Sequence, residues 1–382
     1  MMADREQLIE VFHDTEIWWE TSRKLSDSVK RSVSQTKLYR EDEYPALPAT
    51  EVPLTEISVT ASRSFEAAIR LRKEFPSEKI AVHNFASATN PGGGVTKGSR
   101  AQEECLCRCS TLYPVLSSEY LYREFYQFHR ARGDVRYTDA CIYTPDILII
   151  KSDVDLPQRL PEDQWCTVDV ITCAAPNLRA KPYNRMNPGT GSAVSVTDEE
   201  LLAIHKKRAR HMLTVAAANG ARVLVLGAFG CGAFQNNPEI VAQAYKDIMP
   251  EFERCFRKIE FAVYCTPRDQ KNYQVFRRIL GEGGMEDPYG ISVRVLNEIR
   301  SLAEKYGIGK VILFGSRARG DFKRTSDIDL AVSGGNISAF ALAVDEETYT
   351  LLKYDVVNLD GSVQEELRES IAREGKLLYE KV

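Results

Sequence analysis

The chain has 382 residues, more than one hydrophobic core usually organises, so we expect two domains or one large domain with an appendage. Hydrophobic residues make up 43% of it and charged residues 27%, which is typical of folded, water-soluble proteins and excludes disordered, collagenous or coiled-coil chains. The 50 Lys and Arg against 54 Asp and Glu give a net charge of −4. This balance excludes a global positive field that would hold the whole molecule on nucleic acid or an anionic membrane.

The cysteines and the first residues indicate a reducing compartment. Nine cysteines are an odd number, and the first residues are acidic where a signal peptide needs a basic and then an apolar stretch. We therefore expect reduced thiols and a cytoplasmic protein. No apolar run approaches the roughly 20 residues of a membrane span, so no membrane is expected. The spacing of Cys105, Cys107 and Cys109 scatters their thiols around a helix, which favours buried structural thiols over a metal cluster.

The first 280 residues have the pattern of an α/β domain. About 50 N-terminal residues, including Trp18 and Trp19, show helical periodicity and are expected to cap the domain. Apolar, β-rich runs then alternate with amphipathic segments, which predicts a three-layer α/β/α domain with strands buried on both faces. The predicted strands are 55–60, 79–85, 147–151, 166–174, 223–228 and 259–265. The predicted helices are 64–75, 102–112, 198–219 and 238–252.

A segment rich in Gly, Pro and acidic residues, 281–290, is the clearest composition break. We expect a linker there, between domains at 1–280 and 291–382. The downstream part predicts a small α+β unit of about a hundred residues. Its predicted elements are helix 291–306, strands 310–314, 327–332 and 354–359, and helix 363–374.

A glycine-rich loop follows the predicted strand that ends near Phe85. Its three consecutive glycines let the backbone approach a ligand closely, and the helix expected from Gln102 points its N-terminal N–H groups into the same space. Such a loop suits a diphosphate. A flexible turn, and carboxylates that only favour a helix N-terminus, are the plainer alternatives. Neither alternative explains why the paired carboxylates of Glu103 and Glu104 stand in the same short loop as the glycines.

Gly92-Gly93-Gly94 and, after seven intervening residues, Gln102-Glu103-Glu104 resemble the GGG-x(6–8)-QEE signature of bacterial-type poly(ADP-ribose) glycohydrolases, which have a macrodomain fold. The resemblance spans roughly residues 1–280. It implies hydrolysis of O-glycosidic ribose bonds in poly- or mono-ADP-ribosylated protein or nucleic acid without a cofactor. It also implies that Glu104 does the chemistry and that Glu103 binds and orients the distal ribose. The ADP-ribose-binding residues that it implies are Asn84, Asn90, Gly92, Gly93, Gly94, Gln102, Phe229, Gly230, Cys231, Gly232, Ala233, Phe234 and Phe276.

Elementary chemistry agrees with that assignment. Cleavage at ribose passes through an oxocarbenium-like state, so a carboxylic acid must protonate the leaving oxygen and then, as carboxylate, activate water. A closed site and the charge of Glu103 are expected to raise the pKa of Glu104. Backbone N–H groups from Gly230 to Ala233 are expected to contact the diphosphate from the other side. We expect Phe229 and Phe234 against the distal ribose and Phe276 against the adenine, with a core position as the alternative. The basic segment 205–211 is expected to be a solvated helix face.

A second group of candidate residues lies in the C-terminal part. Strand alternation puts the carboxylates of Asp327 and Asp329 on one face, and hard cations such as Mg²⁺ prefer oxygen ligands of this kind. An exposed Asp-x-Asp on an edge strand is the alternative. Asp355 on the next predicted strand supplies a third acid. The residues expected to admit a triphosphate and offer it charge are Gly315, Ser316, Arg317 and Arg319.

Gly315-Ser316 and, after ten intervening residues, Asp327-Ile328-Asp329 resemble the hG[GS]-x(9–13)-Dh[DE]h pattern of the DNA polymerase β superfamily, in particular its minimal nucleotidyltransferases. The resemblance covers about residues 290–382. It implies that Asp327 and Asp329 bind Mg²⁺, and that Asp355 completes the metal site and deprotonates the acceptor hydroxyl. The donor would be an NTP, in the first place ATP, and the acceptor a protein or RNA.

The sequence is compatible with two hypotheses about the function of the whole chain. The first is a bifunctional enzyme that removes ADP-ribose and transfers a nucleotidyl group, as an antitoxin with a toxin partner or as a modification-reversal factor. The second is a reader domain that binds ADP-ribose without cleaving it, tethered to a nucleotidyltransferase that acts on tRNA or a small molecule. The pattern of the C-terminal part specifies the donor and the metal but not the acceptor.

Overall fold

A computed structural model describes residues 3–48, 55–184, 189, 191–281, 289–323, 325–348, 350 and 352–381. The chain divides into two compact units, Met1–Gly281 and Glu282–Val382. Most of the predicted linker, 282–288, lies outside the described residues. All nine cysteines are described, and none forms a disulfide. In the described ranges, no helix combines the length and the apolar character that crossing a membrane requires.

The first unit is built on one sheet of seven strands. The strands are β1 (Lys37–Tyr39), β2 (Glu56–Thr60), β3 (Ile80–Phe85), β4 (Cys141–Ile149), β5 (Cys166–Cys173), β6 (Val223–Leu226) and β7 (Lys258–Ala262). The helices are α1 (Arg5–Thr21), α2 (Arg23–Gln35), α3 (Ser64–Glu74), α4 (Gln102–Cys109), α5 (Leu112–Leu116), α6 (Glu119–Leu121), α7 (Phe128–Arg132), α8 (Asp198–Ala218), α9 (Pro238–Ile248) and α10 (Lys271–Leu280).

The strand order is β1-β4-β5-β3-β6-β7-β2. The pairs from β5 through β3, β6 and β7 to β2 are all parallel, whereas β4 and β1 join antiparallel at one edge. The central strands β3, β5, β6 and β7 are almost entirely buried, as strands covered by helices on both faces must be. This architecture confirms the predicted α/β class. Because five strands run parallel, their carboxyl ends meet at one edge of the sheet, where open α/β sheets bind ligands.

Strand β4 starts six residues earlier than the sequence predicts. It begins at Cys141, and its pairing with β5 shifts register between Thr144 and Ile147. Asp146, inside this irregularity, has a φ of +58° and donates its N–H to the Asp169 carboxylate over 3.0 Å. Pro145 cannot donate to a ladder, so the sequence signal of the strand was interrupted there.

The N-terminal helices pack on the domain core, α1 against the signature helix α4 and α2 against β4 and α5. Trp19 is buried in the main core, and its ring lies 6.2 Å from that of Tyr113. The Thr15 hydroxyl donates to the backbone carbonyl of Arg108 in α4 over 2.7 Å. Lys151 donates to the carbonyl of Val11 over 2.7 Å and thereby ties α1 to the end of β4. The helices therefore support the loop and helix that carry the candidate acids.

The basic segment 205–211 is a solvated face on one side only. Lys206, Lys207 and Arg210 are partly exposed and ion-paired, as expected, whereas the other polar side chains are buried. His205, Arg208 and His211 are 2%, 3% and 0% exposed. His205 bonds Asn236 over 2.8 Å, and His211 bonds the carbonyl of Asp139 over 2.8 Å. The expectation was therefore right for the outer side of α8 and wrong for the side packed on the sheet, where His205 and His211 are hydrogen-bonded core groups.

The second unit has a four-stranded sheet with the order β10-β9-β8-β11. Its strands are β8 (Lys310–Phe314), β9 (Ile328–Ser333), β10 (Tyr354–Asn358) and β11 (Lys376–Glu380). Its helices are α11 (Val293–Lys305), α12 (Gly315–Arg319), α13 (Ile337–Glu347) and α14 (Glu365–Glu374). A separate apolar core under this sheet confirms the predicted α+β unit. Helix α13 and strand β11 were not predicted from the sequence.

Candidate active sites

The carboxyl edge of the large sheet carries a cleft formed by two cavities. The first cavity has a volume of about 330 Å³ and the second about 530 Å³. The loops that follow β2, β3, β5, β6 and β7 line the first, and the glycine loop and the start of α4 line the second. The residues that line both cavities, and so make the cleft continuous, are Phe85, Arg100, Ala101, Ala233 and Phe234.

The glycine loop needs glycine at two of its three positions. Gly92 and Gly93 have φ values of +63° and +58°, in the left-handed region. A Cβ on Gly92 would lie 2.6 Å from the ring of Tyr113, and one on Gly93 would lie 2.5 Å from Oε1 of Glu104. Gly94 donates its N–H to the same Oε1 over 2.8 Å. The loop therefore contacts the carboxyl of Glu104 directly and fixes the position of its Oε1.

Glu103 and Glu104 are both buried at the start of α4, 2% and 7% exposed, and both line the second cavity. Burial raises the pKa of both carboxyls, and the charge of Glu104 raises that of Glu103 further. The N–H of Gly94 and the charge of Arg108 oppose the rise for Glu104. Oε2 of Glu104 is buried without a hydrogen-bond partner in the described part of the chain. This arrangement favours a protonated carboxyl with one oxygen left for a ligand.

Glu103 is held by the backbone and by Asn84. Its Oε2 accepts the N–H of Ser87 over 2.7 Å, and its Oε1 accepts from Nδ2 of Asn84 over 3.3 Å. Asn84 is fully buried and also donates to the hydroxyl of Thr172 over 3.2 Å. Asn84 thus orients Glu103 from the end of β3.

Gln102 joins α4 to the end of β3. Its Oε1 accepts the N–H of Phe85 over 2.9 Å, and its Nε2 donates to the carbonyl of His83 over 2.6 Å. Through these two bonds the Gln102 side chain pairs with the backbone of β3 and fixes the start of α4 relative to the sheet. Gln102 also lines the first cavity.

Replacing Gly93 by alanine should impair activity more than it impairs folding. An alanine at this positive φ would strain the backbone, and its Cβ would push Glu104 away from the N–H of Gly94. We therefore expect a rate loss on the order of 100-fold. Gly220→Ala is the matched control, since Gly220 has a φ of +82° but nothing within 4 Å of the added Cβ. Rates and melting temperatures of both variants measure the difference. Equal rate losses in the two would show that strain alone, not displacement of Glu104, is responsible.

The loop after β6 offers a set of backbone N–H groups. Cys231 bonds the carbonyl of Ala228 over 3.1 Å, so its N–H is already used. The N–H groups of Gly232, Ala233 and Phe234 have no acceptor among the described residues. Consecutive unused amides of this kind bind anions such as a diphosphate. Within residues 230–233, Gly230, Gly232 and Ala233 line the first cavity, whereas Cys231 does not.

Gly230 and Asn236 shape this second loop. Gly230 has a φ of +75°, and a Cβ there would lie 2.5 Å from that of Ala175. Asn236, 2% exposed, donates to the carbonyls of Pro176 and Gly230 over 2.8 and 3.1 Å. The side-chain bonds of Asn236 therefore hold the loop open toward the cavity.

Of the three predicted aromatic contacts, two lie in the cleft. Phe234 is half-buried and lines both cavities, while Phe229, 1% exposed, lines the first. Phe276 is fully buried in α10 against Phe261, at 5.9 Å between ring centroids, and lines neither cavity. The structure corrects its expected adenine-stacking role to a core position. The aromatic side chain that does line the first cavity near this region is Tyr264, which is 48% exposed.

Several cleft residues carried no sequence signal. The guanidinium of Arg63 lies 4.0 Å from the ring centroid of Tyr264, and both side chains line the first cavity. His83 lies behind the cleft, 1% exposed, with its ring 4.5 Å from that of Phe229. Burial and the charge of His205 lower the pKa of His83 to about 3, so its ring is neutral. In the sequence, only the position of His83 in the predicted strand before the glycine loop indicates that it lies near the cleft.

Asn90 has a supporting position beside the cleft. Its Oδ1 accepts from Nη2 of Arg130 over 2.7 Å, and its Nδ2 donates to Thr89 over 3.0 Å. Arg130 also donates to the carbonyl of Thr89 over 2.6 Å. Asn90 lines neither cavity, so in this structure it anchors the start of the glycine loop.

The second unit brings the three predicted aspartates to neighbouring strands. Asp329 on β9 is directly opposite Asp355 on β10, and Asp327 precedes Asp329 by two residues. Burial and then the charges of Asp355 and Asp327 raise the pKa of Asp329. Gly315 has a φ of +69°, and a Cβ there would lie 2.1 Å from Oδ2 of Asp329. The turn after β8, which also contains Ser316, therefore lies against the acidic face.

Arg317 does not face a nucleotide, and the structure corrects that expectation. It is 1% exposed and donates to the carbonyls of Ser326, Asp327, Tyr289 and Gly290 over 2.7 to 3.1 Å. A buried guanidinium that satisfies several carbonyls stabilises the loop that carries Asp327. Arg319, by contrast, is half-exposed and paired with Asp321 and Glu374 at 3.4 Å.

In the described ranges, no three His, Cys, Asp or Glu side chains are clustered tightly enough to hold a metal ion as they stand. Cys107 and Cys109 are fully buried and Cys105 is partly buried. The three aspartates of the second unit are close enough to perturb one another but do not form a closed cage.

Family models match both units. The model of the microbial-type poly(ADP-ribose) glycohydrolase (PARG) catalytic domain matches residues 9–152. The model of the polymerase beta nucleotidyltransferase matches residues 297–382.

Similar proteins agree with these matches. The PARG of Thermomonospora curvata is 31% identical, with a TM-score of 0.61 over 72% of this chain and 99% of that chain. The PARG of Deinococcus radiodurans, solved in complex with ADP-ribose, is 32% identical, with a TM-score of 0.54 over 65% and 95%. A Methanocaldococcus jannaschii protein named "Putative protein adenylyltransferase" is 37% identical over 93 residues, which cover 21% of this chain and 90% of that protein. The chain therefore belongs to the microbial-type PARG family and carries a polymerase β-type nucleotidyltransferase domain after it, so it is an enzyme with two catalytic domains.

Proposed function

We propose that the first unit hydrolyses the O-glycosidic ribose bond of ADP-ribosylated protein or nucleic acid, with Glu104 as the acid–base group. One observation carries this proposal: Glu104 is buried in the cleft, one oxygen is fixed by the N–H of Gly94, and the other has no partner among the described residues. A protonated carboxyl in this position donates a proton to the leaving oxygen. The resulting carboxylate then takes a proton from the water that attacks the ribose.

The neighbouring residues would hold the substrate. The carboxyl of Glu103 already accepts from Ser87, Asn84 and the backbone of Gly92, and its remaining lone pair would accept from a hydroxyl of the distal ribose. The N–H groups of Gly232 and Ala233 would bind the diphosphate, and Phe234 would pack on the ribose. Arg63 and Tyr264 line the far end of the cleft, where the adenine would lie.

The direct test is release of ADP-ribose from poly(ADP-ribosyl)ated protein, measured without added metal and with a chelator present. Release under these conditions supports a metal-free glycohydrolase. No release, with ADP-ribose binding retained at micromolar concentration, would reduce the first unit to a reader of ADP-ribose.

The pH dependence of hydrolysis should report the raised pKa of Glu104. Glu104 must be protonated when substrate binds, so kcat/KM should be constant at low pH and fall as pH rises through a pKa above the usual glutamate value. Arg108 lowers that pKa, so Arg108→Met should move the falling limb to higher pH, while Arg108→Lys keeps the charge and should not. Profiles of kcat/KM for the three proteins check this. If the falling limb of the profile has the same pKa in Arg108→Met as in the wild type, the limb reports a group other than Glu104.

We further propose that the second unit transfers a nucleoside monophosphate from an NTP, in the first place ATP, to a hydroxyl of a protein or RNA. Asp327 and Asp329 would hold Mg²⁺, which supplies charge neutralisation at the phosphates. The donor set fits, because Mg²⁺ is usually bound by one or two carboxylates together with substrate phosphates and not by a closed protein cage. Asp355, exposed opposite Asp329, would take the proton of the acceptor hydroxyl. Gly315 leaves room for the triphosphate, and Arg319 offers charge at its edge.

The test of this activity is transfer of labelled AMP from ATP to cellular protein and to RNA in parallel, with Mg²⁺ and with chelator. Labelling of one class that requires Mg²⁺ supports the proposal and identifies the acceptor. Labelling of a small molecule instead would favour the alternative acceptor.

Together, the two activities suit a protein that controls modification in the cytoplasm, as an antitoxin or a modification-reversal factor. A single chain that removes ADP-ribose and adds a nucleotidyl group acts on two kinds of modification, and its free thiols suit a reducing compartment. Co-purification of a toxin whose activity falls on incubation with this protein and ATP would support this role. Absence of any modified target in cells would contradict it.

A further inference from the structure

The small sheet of the second unit has two edge strands, β10 and β11, which differ in how they are protected. Strand β11 shifts its register against β8 between Leu377 and Tyr379, and its Glu380 is ion-paired with Lys310 over 3.0 Å. Bulges and charged side chains of this kind keep other chains from pairing with an edge. Strand β10 pairs with β9 without a register shift and contains neither proline nor lysine. It therefore offers a regular edge to which a further strand can be added.

The register of β10 on β9 determines which of its backbone groups are free. The N–H of Ile328 in β9 donates to the carbonyl of Lys353 over 2.8 Å. In a parallel pair every second residue of a strand bonds its partner, so Asp355 also directs its N–H and C=O toward β9. Tyr354 and Val356 direct theirs the other way. No residue in the described part of the chain donates to or accepts from these outward backbone groups.

The side chain of Asp355 lies on the acidic face, at this free edge. Side chains alternate along β10, so Asp355 shares a face with Asp329, whereas Tyr354 and Val356 pack on the core side. A residue opposite Asp355 in an added antiparallel strand would form a non-hydrogen-bonded pair with it, because the backbone of Asp355 is already used by β9. Side chains approach most closely in such pairs, whose Cα atoms are about 4.5 Å apart. The added side chain would therefore stand beside the carboxylate that is proposed to take the proton of the acceptor.

Charge favours a peptide over RNA as the added chain. Residues 282–382 contain 13 Lys and Arg against 18 Asp and Glu, and three of the aspartates meet at the proposed site. An RNA backbone is attracted by a local excess of positive charge, which this face does not offer. A peptide strand brings uncharged N–H and C=O groups, which complement the outward groups of Tyr354 and Val356.

We propose that the acceptor of the second unit is an extended peptide segment, which adds to the free edge of β10 as an antiparallel strand and places a hydroxyl side chain opposite Asp355. The proposal rests on the nucleotidyltransferase function proposed above and adds the class of acceptor and its mode of binding. In the transfer, the hydroxyl oxygen bonds the α-phosphorus of the NTP and its proton passes to Asp355. Pyrophosphate leaves with the electron pair of the broken P–O bond.

The probe is a short peptide in which lysine and valine alternate, with a serine in place of the central lysine. Its lysines share the face of the serine, so they would lie toward the acidic face. A second peptide has tyrosine at the centre and is tested in parallel. With ATP and Mg²⁺, the full-length protein should transfer AMP to the central residue of at least one of them.

Methylation of single backbone nitrogens in the labelled peptide tests strand addition directly. The two valines next to the central residue would donate their N–H groups to β10, so methylation of either nitrogen should lower kcat/KM about tenfold. The N–H of the central residue would point away from β10, so its methylation should change kcat/KM less than about twofold. Equal losses at the three positions, or the opposite pattern, would overturn the proposal.

Two substitutions at Val356 test the same edge from the side of the protein. Val356→Pro removes one outward N–H, a change that an edge strand tolerates, and should lower transfer to the peptide about tenfold, mainly through KM. Val356→Ala is the matched control, because it loses the same half-buried side chain and keeps the N–H. The difference between the two variants therefore measures the backbone bond. Melting temperatures and calorimetric binding of ATP show whether both variants are folded, and equal transfer by the two would contradict strand addition.

Peptide binding, measured by fluorescence anisotropy, separates failure of this proposal from failure of the transferase function. Peptide binding with the expected methylation pattern, but no AMP transfer to peptide or to cellular protein, would overturn the transferase and keep the docking edge. Labelling of cellular protein, with both peptides unbound or bound regardless of methylation, would do the reverse. A dimer of the wild type that Val356→Pro dissociates would assign the edge to a second copy of this chain and overturn the proposal.

Discussion

The Glu104→Gln variant should release no measurable ADP-ribose from a poly(ADP-ribosyl)ated protein while binding ADP-ribose as well as the wild type does. The amide keeps an oxygen to accept the N–H of Gly94, so the position of the side chain is preserved. It cannot deliver or take up a proton, and removal of a general acid–base group lowers a rate by about 100- to 10,000-fold. Release assays and calorimetric binding of ADP-ribose measure the two quantities.

Glu103→Gln is the matched control for this experiment. It makes the same chemical change one residue away, in a carboxyl that accepts from Ser87 and Asn84 and is expected to hold the ribose. Its main effect should therefore be weaker binding of substrate, with a smaller loss of kcat. Retention of more than a tenth of the wild-type rate by Glu104→Gln would mean that Glu104 is not the acid–base group.

The Asp329→Asn variant should lose nucleotidyl transfer, by on the order of 100-fold or more, and should keep glycohydrolase activity. Groups that only orient a metal ligand already contribute about 10- to 100-fold, so loss of a ligand itself should cost at least as much. Burial and two neighbouring carboxylates raise the pKa of Asp329, which means that its ionised form destabilises the folded unit at neutral pH. The neutral amide removes that repulsion, so the melting temperature should not fall.

This combination separates a chemical defect from misfolding. Asp345→Asn on α13 changes the same kind of side chain away from the acidic face and should transfer nucleotide normally. Transfer of labelled AMP, ADP-ribose release and thermal unfolding are measured on the same preparations. Loss of both activities in Asp329→Asn would contradict independent catalytic domains, and normal transfer would remove Asp329 from the metal site.

The sequence predicts the parts of the fold that depend on local pattern. Buried strands such as 79–85 and 166–174 were found to within a residue or two, because a strand covered on both faces is apolar throughout. The spacing of the glycines and of Glu103 and Glu104 was enough to locate the cleft, because the loops after parallel strands meet at one edge of the sheet. Strand β1 was missed because its three residues form a strand only by pairing with β4.

Burial and long-range contacts explain the errors at the two sites. Phe234 lies in a glycine-rich loop and Phe276 in a helix, but neither pattern tells which ring faces a ligand; packing makes Phe276 a core residue and Phe234 a cleft residue. Arg317 carries the charge that a triphosphate needs, but it binds carbonyls that are brought near it by folding. Arg5 lies about ninety residues from the glycine loop, so no local pattern could indicate that it lines the second cavity.

The way α1 is held has a consequence for synthesis of the chain on the ribosome. The helix is made early, yet the groups that bind it come much later: the partners of Thr15 and Val11 are 93 and 140 residues further along. Until about residue 113 has emerged, Phe12 and Trp19 on the apolar face of α1 lack the ring of Tyr113, which both contact, and closure over so long a separation is slow. Until these partners have been made, a growing chain of this protein exposes part of that face, where chaperones can bind it and neighbouring chains can aggregate with it.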